Sequence, residues 1–309
     1  MSPSSSRITL KVDVDTLRGT REGVPALQQL LDRHQARATF LFSLGPDNTG
    51  RALRRVFRPG FLKKVSRTSV VEHYGLKTLS YGVLLPGPDI GKKAAAEMRA
   101  TAHTGHECGI HTWDHVEWHD QVRNRDVAWT LQRMQQSYDR FGEIFGHAPA
   151  THGAAGWQMN ETAIRQLDTW GMQYASDGRG AAPYFISIDG QPCRHMQLPT
   201  TMPTLDEILG VDGLTVDNVH EHMLGLTDPQ RHGPRDHVFT LHAELEGQKL
   251  APIFDRLLAG WRAQGHTLGT MGDYHATLTQ QMLPVHPFAW GEVSGRSGEL
   301  IVDQPARLI

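Results

Sequence analysis

The sequence predicts an α/β fold: a single domain of parallel βαβ units, either closed or doubly wound. Two observations carry this reading. Arg7 to Asp15 alternates with a period of two, with Ile8, Leu10, Val12 and Val14 on one face and Thr9, Lys11, Asp13 and Asp15 on the other, as a strand does. Behind it, strand-like and helix-like segments alternate along the chain, the pattern left by parallel strands joined through crossover helices. The turn Arg18-Gly19-Thr20 leads into a helical spacing of Val24, Leu27, Leu30 and Leu31, and Ala38–Phe42 is a β-rich run stopped by Gly45-Pro46. Helices are expected near 91–104, 122–145, 160–170 and 250–264. Strands are expected near 107–111 and at Gln173–Ser176, Met196–Pro199, His237–Leu241 and Thr267–Gly269. Residues 1–6 read as a disordered lead, 7–283 as the folded domain with a basic insert at about 51–71, and 284–309 as an irregular tail in which Gly and Pro interrupt any periodicity.

Composition narrows the classes of function. Lysine and arginine total 31 against 33 acidic residues, so the formal charge is −2 and binding to nucleic acid through bulk positive charge is not expected. Hydrophobic residues at 39% and charged residues at 21% belong to a folded globular chain. No run approaches the roughly 18 apolar residues that read as a membrane span, and the first residues lack the apolar stretch of a signal peptide. With only Cys108 and Cys193, no disulfide scaffold is expected, and together these features suggest a reducing, cytoplasmic setting. Eighteen histidines against two cysteines is the unusual balance, and it directs attention to histidine chemistry.

Three strand ends concentrate that chemistry. Asp13 and Asp15 lie two apart, so both carboxylates project from one face at the end of the first strand. His111-Thr-Trp-Asp-His115 sets two imidazoles at i and i+4, which face the same way if the segment is helical. Val238-Phe-Thr-Leu-His242 is a strand running into a third histidine. Each piece alone is an ordinary polar strand end. Together they describe a two-histidine, one-carboxylate metal site with a base and an acid at hand.

The order Asp-x-Asp, His-Thr-x-x-His and Leu-His resembles the NodB-homology polysaccharide deacetylases, carbohydrate esterase family 4. That resemblance implies a distorted (β/α) barrel and metal-dependent removal of N- or O-acyl groups. It implies Asp15, His111 and His115 as ligands of one divalent ion (Zn, Co, Ni or Mn), Asp13 as base and His242 as acid. Longer blocks resemble a deformylase branch of the family: Asp13–Pro25, Gly45–Arg51, Ala154–Trp157, Ser176-Asp-Gly-Arg-Gly180 and Leu241–Gly247. They imply removal of a formyl group from an undecaprenyl-phosphate-linked formamidosugar, a step in aminoarabinose modification of lipid A that underlies polymyxin resistance. One departure stands out. Where the deacetylases carry Arg-x-Pro-Tyr, whose Arg steadies the base, this chain reads Thr151-His-Gly-Ala-Ala-Gly-Trp157. Arg179 is the candidate replacement, against a plain structural turn, and Asp177 is a candidate to orient His242.

Further residues could meet a lipid-linked sugar. Arg18, just after the ligand strand, could clamp a phosphate, or its loop merely caps the next helix. Trp113 and Trp157 could form walls for the sugar or belong to the core. Glu244, on the His242 face if that strand continues, could bind the sugar amine or tune the histidine. Between Asn48 and Val71 there are seven bases and no acid. Here Arg54, Arg55, Phe57, Phe61, Leu62, Lys63 and Lys64 form a basic amphipathic pattern suited to an anionic membrane surface, with a solvated helical hairpin or a nucleic-acid patch as the alternatives. The expected partners are therefore the lipid-linked formamidosugar and an anionic membrane surface, with no nucleic acid and no obligate protein partner, and the expected location is the cytoplasmic face of the inner membrane. The competing readings are a deacetylase of a soluble polysaccharide or small cyclic amide, and an inactive lipid-binding relative.

Overall fold

The computed structural model describes residues 6–52, 77–279 and 282–303. The main sheet is built from β1 (Arg7–Val14), β2 (Thr39–Ser43), β3 (Glu107–Thr112), β4 (Thr151–His152), β5 (Tyr174–Ala175), β6 (Tyr184–Ile188), β7 (Gln191–Gln197), β8 (His237–His242), β9 (Thr267–Gly269) and β10 (Val285–Pro287). Its order is β10-β6-β7-β5-β4-β3-β2-β1-β8, with β9 also on β1. Every pairing is parallel except the β6–β7 hairpin. Both faces of β1 are buried: Ile8, Leu10, Val12 and Val14 meet the helices, while Thr9 and Lys11 are equally enclosed within the sheet's curl. The ladder among the described residues is not a closed barrel. It curls until the free side of β8 meets the chain just after β7, where Thr201 N–H donates to the Val238 carbonyl (3.1 Å) and Val238 N–H donates to Thr201 Oγ1 (3.0 Å).

The flanking helices follow from amphipathic spacing and local caps. They include α1 (Val24–Arg33), α2 (Ala95–His103), α3 (His115–Gln121), α4 (Val127–Phe145), α5 (Glu161–Thr169) and α6 (Ala251–Ala263), with a nine-residue helix at Val219–Thr227 and shorter helical turns between them. The Asp126 side chain accepts from Trp129 N–H to start α4, and Gly146, at φ +76°, ends it in the left-handed region. Asn160 caps α5 in the same way, through Ala163 N–H.

Three expectations need correction. The C-terminal stretch is not irregular. β10 joins the main sheet, and β11 (Ala289–Glu292) pairs antiparallel with β12 (Glu299–Val302). Strands of three or four residues separated by Gly and Pro leave too short a run for periodicity to register. Ser6 does not belong to a loose lead, since its hydroxyl bonds His266 Nδ1 at 2.8 Å and its carbonyl accepts from Thr267 N–H. The hairpin strand β6, with alternating burial, was not anticipated at all.

Candidate metal centre

The site forms where β1, β3 and β8 end side by side. Parallel register sets Asp13 opposite His242 across β1 and β8, so two residues far apart in sequence become neighbours. Asp15 follows the last residue of β1, and His111 sits in β3 with its ring fully buried. His115 does not share a helical face with His111, as the i, i+4 spacing suggested. The chain turns between them: the Asp114 side chain accepts from Glu117 N–H at 3.0 Å, so His115 is the first residue of α3 and reaches back to the strand end.

The three expected ligands converge. His111 Nε2 lies 3.2 Å from Asp15 Oδ1 and His115 Nε2 lies 3.5 Å from Asp15 Oδ2. Nitrogen and oxygen donor atoms of the three side chains all fall within 4.8 Å of one another. The set of two imidazoles and one carboxylate fits a first-row divalent cation. His111 Nδ1 donates to the Gly153 carbonyl at 2.6 Å, which leaves Nε2 as its coordinating atom. Burial opposes ionisation of Asp15, but the charges of His115 and His111, the latter also hydrogen-bonded to it, hold the carboxyl well below the usual range. Burial likewise disfavours protonation of His111, and the carboxylates of Asp13 and Asp15 outweigh it and raise the imidazole.

Buried carboxylates scaffold this centre. Glu244 Oε1 accepts from Asp15 N–H (3.1 Å), Thr16 N–H (2.9 Å) and Thr16 Oγ1 (2.8 Å), so it clamps the backbone that carries Asp15. Asp47 accepts from Leu17 N–H at 3.0 Å, and Asn48 donates to Asp114 at 2.6 Å, linking the loop after β2 to both ligand segments. Glu246 accepts from His242 N–H at 2.7 Å, and burial pushes its carboxyl up to about 7.

Several expected roles take other forms. Arg179 does not reach Asp13: its guanidinium pairs with Glu207 at 2.6 Å and donates to the Met202 carbonyl at 2.9 Å. The cation beside Asp13 is Lys11, its Nζ 3.4 Å from Asp13 Oδ2. Asp177 does not orient His242: it bonds His152 Nδ1 at 2.6 Å and Gln197 at 2.9 Å. Glu244 turns to the backbone rather than to a ligand. Trp157, 2% exposed, donates to Thr200 Oγ1 and packs with Val293, Leu300 and Val302, so it anchors the C-terminal hairpin and offers no open wall. Trp113 is half-buried, with the Arg140 guanidinium 5.2 Å from its ring. Arg18 is partly exposed and pairs with Glu22 at 2.8 Å. Arg54, Arg55, Phe57, Phe61, Leu62, Lys63 and Lys64 lie outside the described residues. Lys11 was missed because a lysine on a strand's polar face reads as solvated. The available signal was its position two residues before Asp13, on the same face.

Comparison with known proteins agrees with this geometry. The polysaccharide deacetylase family model matches residues 2–175. A protein of Shewanella sediminis (strain HAW-EB3) named probable 4-deoxy-4-formamido-L-arabinose-phosphoundecaprenol deformylase ArnD is 36% identical over 82% of this chain and 80% of its own length. A protein of the same name from Wigglesworthia glossinidia brevipalpis is 31% identical over 93% of this chain and 98% of its own. Among solved structures, a probable polysaccharide deacetylase from Pseudomonas aeruginosa PAO1 superposes with a TM-score of 0.57 at 15% identity, covering 88% of this chain and 90% of that one. With a family model spanning more than half its length and relatives above 30% identity along most of it, this chain belongs to the polysaccharide deacetylase family, hydrolases of amide bonds.

Proposed function

We propose that the chain is a metal-dependent deformylase that hydrolyses the N-formyl group of undecaprenyl-phosphate-linked 4-deoxy-4-formamido-L-arabinose, in the aminoarabinose modification of lipid A. The observation that carries the chemistry is the parallel register of β1 and β8, which sets Asp13 and His242 beside the Asp15/His111/His115 cluster. The substrate comes from the shared name of the two relatives. Asp15, His111 and His115 would hold the cation, which when bound supplies an electrophile for the formyl oxygen and an acidified water. Asp13 accepts the proton of the attacking water. His242 delivers a proton to the departing sugar nitrogen, so the C–N bond breaks to give formate and the free amine. Oxygen and nitrogen donors suit Zn, Co, Ni or Mn alike.

The same reading places the protein at the anionic cytoplasmic surface of the inner membrane, where such a lipid would present its headgroup. The basic 51–71 segment supports it, and so does a turn near the site. Val83 (51% exposed), Leu84 (81%) and Leu85 (48%) project together. Their turn is tied to the Asn48–Arg51 loop by Gly50 N–H to the Tyr81 carbonyl and Arg51 Nε to the Gly82 carbonyl. No described helix is long and apolar enough to cross a membrane.

Mass spectrometry of the lipid-linked formamidosugar incubated with the Co²⁺-loaded protein tests this. Conversion to the amine with formate release, abolished by chelator, is the expected result. Acetate release from a soluble N-acetylated sugar instead would transfer the chain to the deacetylases, and no release from either would reject hydrolysis.

A further inference from the structure

Lys11 is the group at this centre to which the chemistry above gives no role. Its side chain is 0% exposed, and an ammonium taken fully out of water is tolerated only beside a compensating charge. That charge is Asp13, whose Oδ2 lies 3.4 Å from Nζ. The other cations over the Trp157 ring have acids of their own: Arg179 and Arg296 share Glu207, at 2.6 and 2.5 Å, and Arg296 also pairs with Asp206 at 3.4 Å. Nζ makes no hydrogen bond among the described residues, so its tie to Asp13 is an ion pair, and it sits 5.4 Å from the Trp157 ring centre, an electron-rich face that suits a cation. The stem is confined too. A Cβ on Gly153 would come within 2.9 Å of Lys11 Cε, so the residue whose carbonyl fixes His111 also walls the lysine.

The two oxygens of Asp13 are consequently unequal. Oδ2 is tied to the ammonium. Oδ1 has no hydrogen-bond partner among the described residues and lies 3.8 Å from Nδ1 of His111, one of the three clustered side chains. We propose that Lys11 is a positioning residue for the base: it pins one oxygen of Asp13, so that the other is presented to the attacking water. This rests on the proposed role of Asp13 as proton acceptor. Lys11 and Asp13 are i and i+2 on one strand face, so the strand itself fixes the geometry and no loop has to order.

The test is a double-mutant cycle of Lys11→Met and Asp13→Asn, following formate release from the lipid-linked formamidosugar and Co²⁺ affinity by titration. Lys11→Met alone is expected to lower kcat about 10–100-fold, with KM and Co²⁺ affinity within about threefold of wild type. On the Asp13→Asn background it should cost nothing further, because groups acting as one unit are not additive. An unchanged kcat, an equal loss on both backgrounds, or a loss confined to KM or to Co²⁺ affinity would overturn the assignment. If Lys11→Met does not fold, Lys11→Arg replaces it in the same cycle. A loss of kcat that disappears on the Asp13→Asn background supports the proposal, and one that persists refutes it. If the wild-type chain releases no formate, the deformylase reading fails on its own. The pairing is then read from melting temperatures of the metal-free variants, where non-additive shifts support it and additive shifts refute it.

Discussion

Replacing Glu244 by Ala should damage both the fold and the metal site, by an amount that can be worked from its contacts. Its Oε1 serves three donors, the backbone N–H groups of Asp15 and Thr16 and the Thr16 hydroxyl, on a side chain 1% exposed. Truncation leaves two buried backbone N–H groups without an acceptor, and each such group costs about 1–3 kcal/mol. The vacated carboxymethyl volume adds a further cost of about 1 kcal/mol or more. The expected loss is therefore about 3–7 kcal/mol, a large share of the roughly 5–15 kcal/mol that a domain has to lose. Glu244→Gln keeps the carbonyl acceptor. It also removes a carboxyl that burial and the neighbouring Asp15 charge push well above its ordinary range, so it should cost less than about 1 kcal/mol. Because the clamp holds the backbone of Asp15, a ligand in the proposed site, Ala should also weaken Co²⁺ binding about 10–100-fold while Gln leaves it nearly unchanged. Urea unfolding of the metal-free variants and Co²⁺ titration read the two effects separately. Equal behaviour of Ala and Gln, or an Ala variant within about 1 kcal/mol of wild type, would show that Glu244 does not support the site as described.

Other consequences are as definite. Burial and the nearby Arg37 press His106 down to about 4, and burial with Arg235 does the same to His237. Both folded values are depressed, so the unfolded chain takes up protons first and stability is lost as pH falls from about 6.5 toward 4, on the order of 2 kcal/mol for each histidine. Urea unfolding at stepped pH should show His106→Gln to be less acid-sensitive than wild type, and an equal slope would refute the assignment. A Cβ at Gly23 would meet the Ala243 carbonyl oxygen at 2.0 Å, backbone against backbone, so Gly23→Ala should cost about 2–3 kcal/mol and lower Tm visibly. An unchanged Tm would contradict the close approach of α1 to the chain leaving β8. Exchanging Val83, Leu84 and Leu85 for Asp should weaken sedimentation with phosphatidylglycerol-containing vesicles about tenfold or more, since each leucine-sized side chain buried in lipid contributes about 1.5–3 kcal/mol. Undiminished binding would place the membrane contact elsewhere.

What the sequence disclosed and what it hid divide along a physical line. The period of two over Arg7–Val14 and the amphipathic spacing of α1, α4 and α6 are local, and each appears in the structure close to where the residues placed it. That Asp13, Asp15, His111, His115 and His242 lie at neighbouring strand ends was legible for a related reason: in a parallel sheet the strand ends share one side, so residue type and strand position together bring such side chains near one another. Partners across the fold were not legible. Arg179 and Lys11 are both plausible cations for Asp13 on paper. The choice falls to Lys11 because Arg179 is drawn to Glu207, on a short helical turn that no local pattern links to it. Asp177 likewise takes His152, which sits beside it through the pairing of β5 with β4, a strand of two residues that no window could detect. The helical reading of His111 and His115 failed differently. A spacing of four brings two side chains together on a helix, but a strand end, a capping Asp114 and a new helix achieve the same convergence by another path. Residue type thus pointed to the chemistry proposed for the cluster, whereas the partner that Asp13 takes depends on contacts only the folded chain creates.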